Sequence, residues 1–203
     1  MEKRMTITYE VENKLYLNIT NKCPCNCTFC IRNNGDGAYG SDPLWLEHQP
    51  TADEVVEALK KCDLSRYRQV VFCGYGEPTC VLNNLIDSCK YLREKGVNVR
   101  LNTNGLSDLI NKRETAREIC EVIDSVSISL NAPTAEKYNE VTRPVFGEKS
   151  FDAMLKFAKE CKEFGIPTKL TVVDVISKED IEACKKLCEE IDIPLRVREY
   201  TAE

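Results

Sequence analysis

The sequence has no excess of positive charge, no long apolar run and no export signal. Its 28 Lys and Arg stand against 33 Asp and Glu, a net charge of −5. The basic face of a dedicated nucleic-acid or anionic-membrane binder is therefore not expected. No apolar stretch approaches the ~18 residues that a membrane-spanning helix requires. The first residues, MEKRMTITYEVEN, lack the apolar core of a signal peptide, so a cytoplasmic location is expected. Linkers, low-complexity stretches and internal repeats are missing too, which predicts one domain over residues 1–203. Wholesale disorder is excluded, since 42% of the residues are hydrophobic.

Cysteine is abundant, with twelve residues. Disulfide scaffolds that carry so many are small and exported, and this chain has neither property. In a reducing compartment the thiols fill the core, bind metal or act in catalysis, and position along the chain sorts them.

Strand and helix patterns alternate. Strands are expected at Leu15–Thr20, Gln69–Cys73, Asn98–Asn104, Ser125–Asn131, Thr168–Val175 and Leu195–Tyr200. Helices are expected at Thr51–Cys62, with Thr51 and Glu54 forming a capping box, and at Leu82–Lys95, closed by Gly96. Others fall at Glu114–Ile123, in a stretch ending at Phe164, and at Lys178–Ile191. Hairpin signals are lacking, so the pattern describes βα units on a parallel sheet. Strand faces alternate: Val99, Leu101 and Thr103 oppose Arg100, Asn102 and Asn104, and Val126, Ile128 and Leu130 oppose four polar residues. Strands covered on both sides would be apolar throughout. A curved sheet with helices outside and a polar lumen inside is expected. Six strands are too few for a closed eight-stranded barrel, which predicts a partial (β/α)6 TIM-like barrel.

Ligands of parallel α/β folds bind beyond the carboxyl ends of the strands. Every unusual motif of the chain falls there: Lys22–Arg32 (KCPCNCTFCIR), Gly74–Thr79 (GYGEPT), Asn102–Gly105 (NTNG), Ser129–Asn131 and Val173–Ser177. The first contains Cys23-x3-Cys27-x2-Cys30, with Cys25 inside it. At this cysteine content chance would produce the trio only about 0.04 times per chain. Thiolates so close together on a loop suit zinc or an iron–sulfur cluster. Three ligands to a four-iron cluster leave one iron open for chemistry.

This motif resembles that of the radical S-adenosylmethionine (SAM) superfamily. Phe29 stands where the family places an aromatic residue beside the last cysteine. GYGEPT is similar to the family's Gly-Gly-Glu motif, with Gly76 and Glu77 matching and Tyr75 replacing the first glycine. NTNG is similar to its ribose-side segment. The NTNG strand and SISLNAPTAEKYNEVTRP resemble the small TatD-associated radical SAM proteins. The resemblance implies that Cys23, Cys27 and Cys30 hold a [4Fe–4S] cluster and that SAM chelates the fourth iron. Reductive cleavage of SAM would then yield a 5′-deoxyadenosyl radical that abstracts hydrogen from an unidentified substrate. It implies that Gly76 and Glu77 meet the SAM ammonium and that Phe29 packs on adenine. Asn102, Asn104, Ser129 and Asn131 would bond the ribose or methionyl group, and Arg143 would pair with a carboxylate. A flavodoxin or ferredoxin would serve as one-electron donor.

Blander readings stand beside these. Cys25 either competes as a ligand or completes a four-cysteine zinc loop, or else stays outside the cluster. Cys62, Cys89, Cys120, Cys161, Cys184 and Cys188 extend apolar helix faces and are expected in the core, as is Cys73. Cys80 lies either in the core or toward the substrate. Glu77 also suits a helix cap, and the rim Asn and Ser residues suit turns. His48, beside Trp45 in the long 33–50 loop, is expected to be an ordinary loop histidine. Arg196, Arg198 and Tyr200 alternate on the last strand and face either a substrate anion or water. The rival to an enzyme is a non-catalytic iron–sulfur electron carrier or a zinc-stabilised interaction module.

Overall fold

The computed structural model of the protein describes residues 1–200. Residues 201–203, part of the single-domain expectation, lie outside the described residues. Seven strands lie side by side in chain order: β1 (Thr8–Val11), β2 (Lys14–Leu17), β3 (Gln69–Phe72), β4 (Val99–Thr103), β5 (Ser125–Ser129), β6 (Thr168–Val173) and β7 (Leu195–Arg198). β2 to β7 run parallel, and β1 pairs antiparallel with β2 at one edge. The first and last strands do not pair, so the sheet is open. Six parallel strands with helical crossovers agree with the expected partial barrel. The β1–β2 hairpin was not expected. Its turn at Glu12–Asn13 places Glu12 in the left-handed region (φ 55°), where glycine or asparagine normally signals such a turn.

The crossovers are α1 (Ala52–Lys60), α2 (Leu82–Glu94), α3 (Ser107–Asn111), α4 (Ala116–Cys120), α5 (Ala135–Thr142), α6 (Lys149–Glu163) and α7 (Lys178–Glu190). α1 begins with the expected capping box: Thr51 Oγ1 accepts from the Glu54 N–H, and the Glu54 carboxylate accepts from the Thr51 N–H. α2 ends at Gly96, whose φ of 68° only glycine adopts without strain. The helix expected to end at Phe164 is in fact α5 and α6, separated where Arg143 takes a left-handed conformation before Pro144.

The core lies between the sheet and these helices. Leu15, Leu17, Val70, Phe72, Val99, Leu101, Val126, Ile128, Leu170 and Val172 point outward from the sheet and are almost wholly buried. Each such side chain contributes about 1.5–3 kcal/mol of transfer free energy. Cys89, Cys161, Cys184 and Cys188 fill gaps in the same layer as small apolar groups. The other face of the sheet carries the alternate residues, among them Asn102, Ser127, Ser129 and Thr171. Over its β1–β3 side lies a second cluster: Tyr9, Ala38, Leu44 and Tyr75, with Val11, Tyr16, Ile31 and Trp45 packed against them. The 33–50 loop is thus folded over part of the lumen. No helix among the described residues is long and apolar enough to cross a membrane.

Candidate functional site

The cysteine loop leaves the carboxyl end of β2 and is held by main-chain bonds from two sides. On one side the Glu77 N–H donates to the Lys22 carbonyl at 2.8 Å. On the other, residues 141–145 run against residues 24–28. Asn26 N donates to the Thr142 carbonyl at 3.0 Å, Thr28 N to the Val141 carbonyl at 2.9 Å, and Val145 N to the Pro24 carbonyl at 2.9 Å. Inside the loop, the Cys30 N–H closes a turn onto the Cys27 carbonyl at 3.2 Å, with Phe29 half-buried at its corner.

Cys23, Cys27 and Cys30 are half-buried, whereas Cys25 is 6% exposed and belongs to the hydrophobic core. The Cys25 thiol lies beside those of Cys23 and Cys27, whose competition for its proton holds it well above the usual thiol range. It also accepts from Asn104 Nδ2 at 3.7 Å. Arg32 Nε donates to Cys30 Sγ at 3.3 Å and Nη2 to the Cys25 carbonyl at 3.4 Å, with the guanidinium 5.7 Å above the Trp45 ring. Arg32 was not singled out in the sequence. Its place two residues after the last cysteine is the signal that identifies it, because a fixed cation there stabilises neighbouring thiolates.

The junction of β3 and β4 is built on Glu77, only 4% exposed. Its Oε1 accepts from Thr79 N (3.1 Å), Thr79 Oγ1 (2.8 Å) and Thr103 Oγ1 (2.7 Å), and its Oε2 accepts from Asn104 N (2.7 Å). Burial raises the carboxyl above its ordinary value, and the bonds from Asn104, Thr103 and Thr79 work against that rise. One carboxylate thus caps the short 3₁₀ turn Pro78–Val81 and ties GYGEPT to NTNG. Gly76 has a separate reason to lack a side chain. A Cβ there would stand 2.2 Å from the Thr20 carbonyl oxygen and 2.7 Å from that of Lys22.

Tyr75, where the related motif has glycine, is 3% exposed. Its hydroxyl donates toward the Gly35 and Gly37 carbonyls at 2.8 and 2.9 Å, and its ring meets Trp45 edge-on at 5.2 Å. The substitution therefore anchors the 33–50 loop. Buried Asn18 pins the same loop, donating to the Leu44 carbonyl at 2.7 Å. His48 is exposed and 2.8 Å from Glu54, beside the start of α1.

The remaining expected residues separate by place. Asn102 and Ser129 are half-buried on the inner face of β4 and β5, and Asn102 Oδ1 is buried with no hydrogen-bond partner among the described residues. Asn104 closes a turn through Oδ1 onto Leu106 N (2.9 Å). Asn131 is buried just past β5 in the left-handed region. Arg143 is exposed at the end of α5, so its backbone rather than its side chain meets the cysteine loop. Cys80 is half-buried, its thiol pushed up to about 12 by burial first and by Glu77 second.

The mouth of the barrel therefore presents three half-buried thiols, a neighbouring guanidinium and an unpartnered carboxamide oxygen. Among the described residues, no three His, Cys, Asp or Glu side chains converge on one metal ion. Three half-buried thiols on one loop, with Arg32 donating to one of them, suit the separate irons of a four-iron cluster.

These features define an open parallel α/β barrel with a thiolate loop at its carboxyl mouth. The chain belongs to the radical SAM superfamily, whose sequence model matches residues 17–191. That family works with a [4Fe–4S] cluster and SAM. The Fe-coproporphyrin III synthase of Methanosarcina barkeri is 30% identical over 179 residues, which is 87% of this chain and 41% of that protein. The probable dual-specificity RNA methyltransferase RlmN of Pseudothermotoga lettingae is 28% identical over 167 residues, 77% of this chain and 44% of that one. The chain thus spans less than half the length of these curated relatives. Among solved structures, Streptococcus suis SuiB bound to its precursor peptide SuiA superposes with a TM-score of 0.69. The identity is 19%, over 93% of this chain and 39% of SuiB, a likeness of fold alone.

Proposed function

We propose that the protein is a radical SAM enzyme in which Cys23, Cys27 and Cys30 hold a [4Fe–4S] cluster and Cys25 is no ligand. When bound, the cluster and SAM supply one-electron cleavage of SAM and hydrogen abstraction from the substrate. The observation that carries the reading is the contrast within the loop: Cys23, Cys27 and Cys30 are half-buried at the mouth, whereas Cys25, beside Cys23 and Cys27, is only 6% exposed. Arg32 lowers the cost of thiolate charge, and the 141–145 brace fixes the loop against the barrel. Gly76 lets the GYGEPT backbone lie against the loop, and Glu77, buried with both oxygens accepting from Thr79, Thr103 and Asn104, holds the NTNG strand end and sets its charge behind the SAM ammonium. Phe29 covers the adenine. Asn102, Asn104, Ser129 and Asn131 are the polar contacts for ribose and methionyl groups, and Arg143 is the weakest member of the set because its side chain points into solvent. One hydrophobic core linking all the helices to the sheet supports a single domain. The NTNG strand and the SISLNAPTAEKYNEVTRP stretch favour the small TatD-associated subgroup, working in the cytoplasm with a flavodoxin or ferredoxin as electron donor.

Anaerobic purification and metal analysis test this. About four irons and four sulfides per chain are expected, with an EPR signal of the reduced protein that changes shape on addition of SAM. A colourless protein with stoichiometric zinc and no iron after anaerobic reconstitution would overturn the reading in favour of a zinc-stabilised module.

A further inference from the structure

The inner face of the sheet concentrates positive charge in a chain whose net charge is −5. The register shows how. Arg100 on β4 pairs with Ser125 on β5, Ser127 with Lys169 on β6, and Thr171 with Arg196 on β7. All these residues point to the same side of the sheet, opposite the buried apolar residues. Adjacent strands lie about 4.8 Å apart, so Arg100 and Lys169 flank β5 across a floor of serines too short to keep them apart. Lys169 and Arg196 are diagonal neighbours on adjacent strands.

Among the described residues none of these cations joins a salt bridge. Glu12, an acid within reach of Arg196, is already bonded to Lys14. The Arg100 Nε–H is buried with no partner, and its Nη2 meets only the Tyr16 hydroxyl at 3.4 Å. Burial, then the charges of Arg100 and Arg196, hold Lys169 below the usual lysine value. Arg100 and Lys169 are half-buried and Arg196 is exposed at the edge strand; a fold gains nothing from like charges gathered on one face, whereas a cleft of one sign concentrates an oppositely charged ligand.

We propose that Arg100, Lys169 and Arg196 form a substrate site for an anionic group, a carboxylate or phosphate, held over the β5 serines. Arg100 lies four residues below Asn104 on the same strand direction, about 13 Å at 3.3 Å per residue. The anion is thus anchored deep in the lumen while the other end of the substrate reaches the mouth. This inference rests on the radical SAM reading for the identity of the mouth, but not for the binding of the anion.

The test is calorimetric titration of the anaerobically reconstituted protein, at low ionic strength, with inorganic phosphate and separately with succinate. Wild type binds at least one of them, and the tighter of the two identifies the group. Arg100→Gln and Lys169→Gln each weaken that binding about tenfold or more, as loss of a charge-assisted contact requires. Both keep their iron and their SAM-induced EPR change, and Arg100→Lys restores part of the affinity. Lys90→Gln, an exposed position on α2, binds like wild type. If Arg100→Gln does not fold, Lys169→Gln at its half-exposed position carries the test. Absence of binding by both anions, equal weakening in Lys90→Gln, or displacement of the bound anion by SAM would each overturn the proposal. Failure of the iron analysis with intact anion binding would instead strike the radical SAM reading alone.

Discussion

Replacing Gly76 by alanine adds one methyl group at the tightest approach between two mouth loops. The new Cβ would stand 2.2 Å from the Thr20 oxygen, 2.7 Å from the Thr20 carbonyl carbon and 2.7 Å from the Lys22 oxygen. All three are backbone atoms, so no side chain can swing away. Gly76 is not in the left-handed region, and contact is the only penalty. Relief requires the loops to part by about 1 Å, which also strains the bond from Glu77 N to the Lys22 carbonyl. Overpacking of this kind costs about 1–3 kcal/mol and the weakened hydrogen bond about 1 more. At roughly 2–4 °C per kcal/mol for a chain of this size, the melting temperature should fall on the order of 10 °C. Lys22 directly precedes Cys23, so the displacement should also reduce iron content although every cysteine is present. Gly35→Ala is the control, because its Cβ would meet nothing closer than 3.9 Å. Differential scanning calorimetry and iron analysis of both variants decide the matter. A Gly76→Ala protein that melts and binds iron like wild type would refute the account of GYGEPT as a packing contact to the cysteine loop.

Three further outcomes follow from the site. Cys25→Ala should retain iron and lose about 1–2 kcal/mol of stability from the small cavity in the core, whereas Cys23→Ala, Cys27→Ala and Cys30→Ala should each lose iron; a reversed pattern in metal analysis would reassign the ligands. Glu77→Ala should lower SAM affinity about 10- to 100-fold in EPR titrations of the reduced cluster, and should also lower the melting temperature, because the Asn104 and Thr79 N–H groups lose their acceptor; the exposed Glu57→Ala should change neither. Tyr75→Phe should cost about 1–2 kcal/mol and speed proteolytic cutting within residues 33–50, since the Gly35 and Gly37 carbonyls lose their donor; an unchanged cutting rate would separate Tyr75 from the hold on that loop.

Much of this architecture was legible because alternation and capping are local signals. The polar and apolar faces of β4 and β5, the capping box of α1 and the glycine end of α2 all needed only near neighbours in sequence. The β1–β2 hairpin was not legible, since a glutamate occupies the left-handed position of its turn and the asparagine, Asn13, comes one residue later. Nor was the split between α5 and α6, where a left-handed Arg143 ends the first helix. At the mouth, the motif spacing drew attention to the cysteines, to Glu77 and to Gly76. The four hydrogen bonds that Glu77 accepts join residues up to 27 positions apart, and no local pattern announces them. Arg100 and Lys169 escaped notice for the same reason. Arg100 showed only as one member of a polar strand face and Lys169 as nothing at all, and only the parallel register sets them on either side of β5.

The brace behind the cysteine loop has a consequence for how this protein can change over generations. Asn26, Thr28 and Val145 supply amide hydrogens, and Pro24, Val141 and Thr142 supply carbonyls, so the contact is almost wholly main chain, with one side-chain bond from Thr28 Oγ1 to the Val141 carbonyl at 3.4 Å. The three donor positions, Asn26, Thr28 and Val145, are exposed, and most residues there would satisfy it without loosening the loop. One residue type is barred. Proline at 26, 28 or 145 would delete a donor, while the two prolines already present, Pro24 and Pro144, occupy places where only a carbonyl is asked for. Selection here acts on the shape of the chain rather than on its lettering.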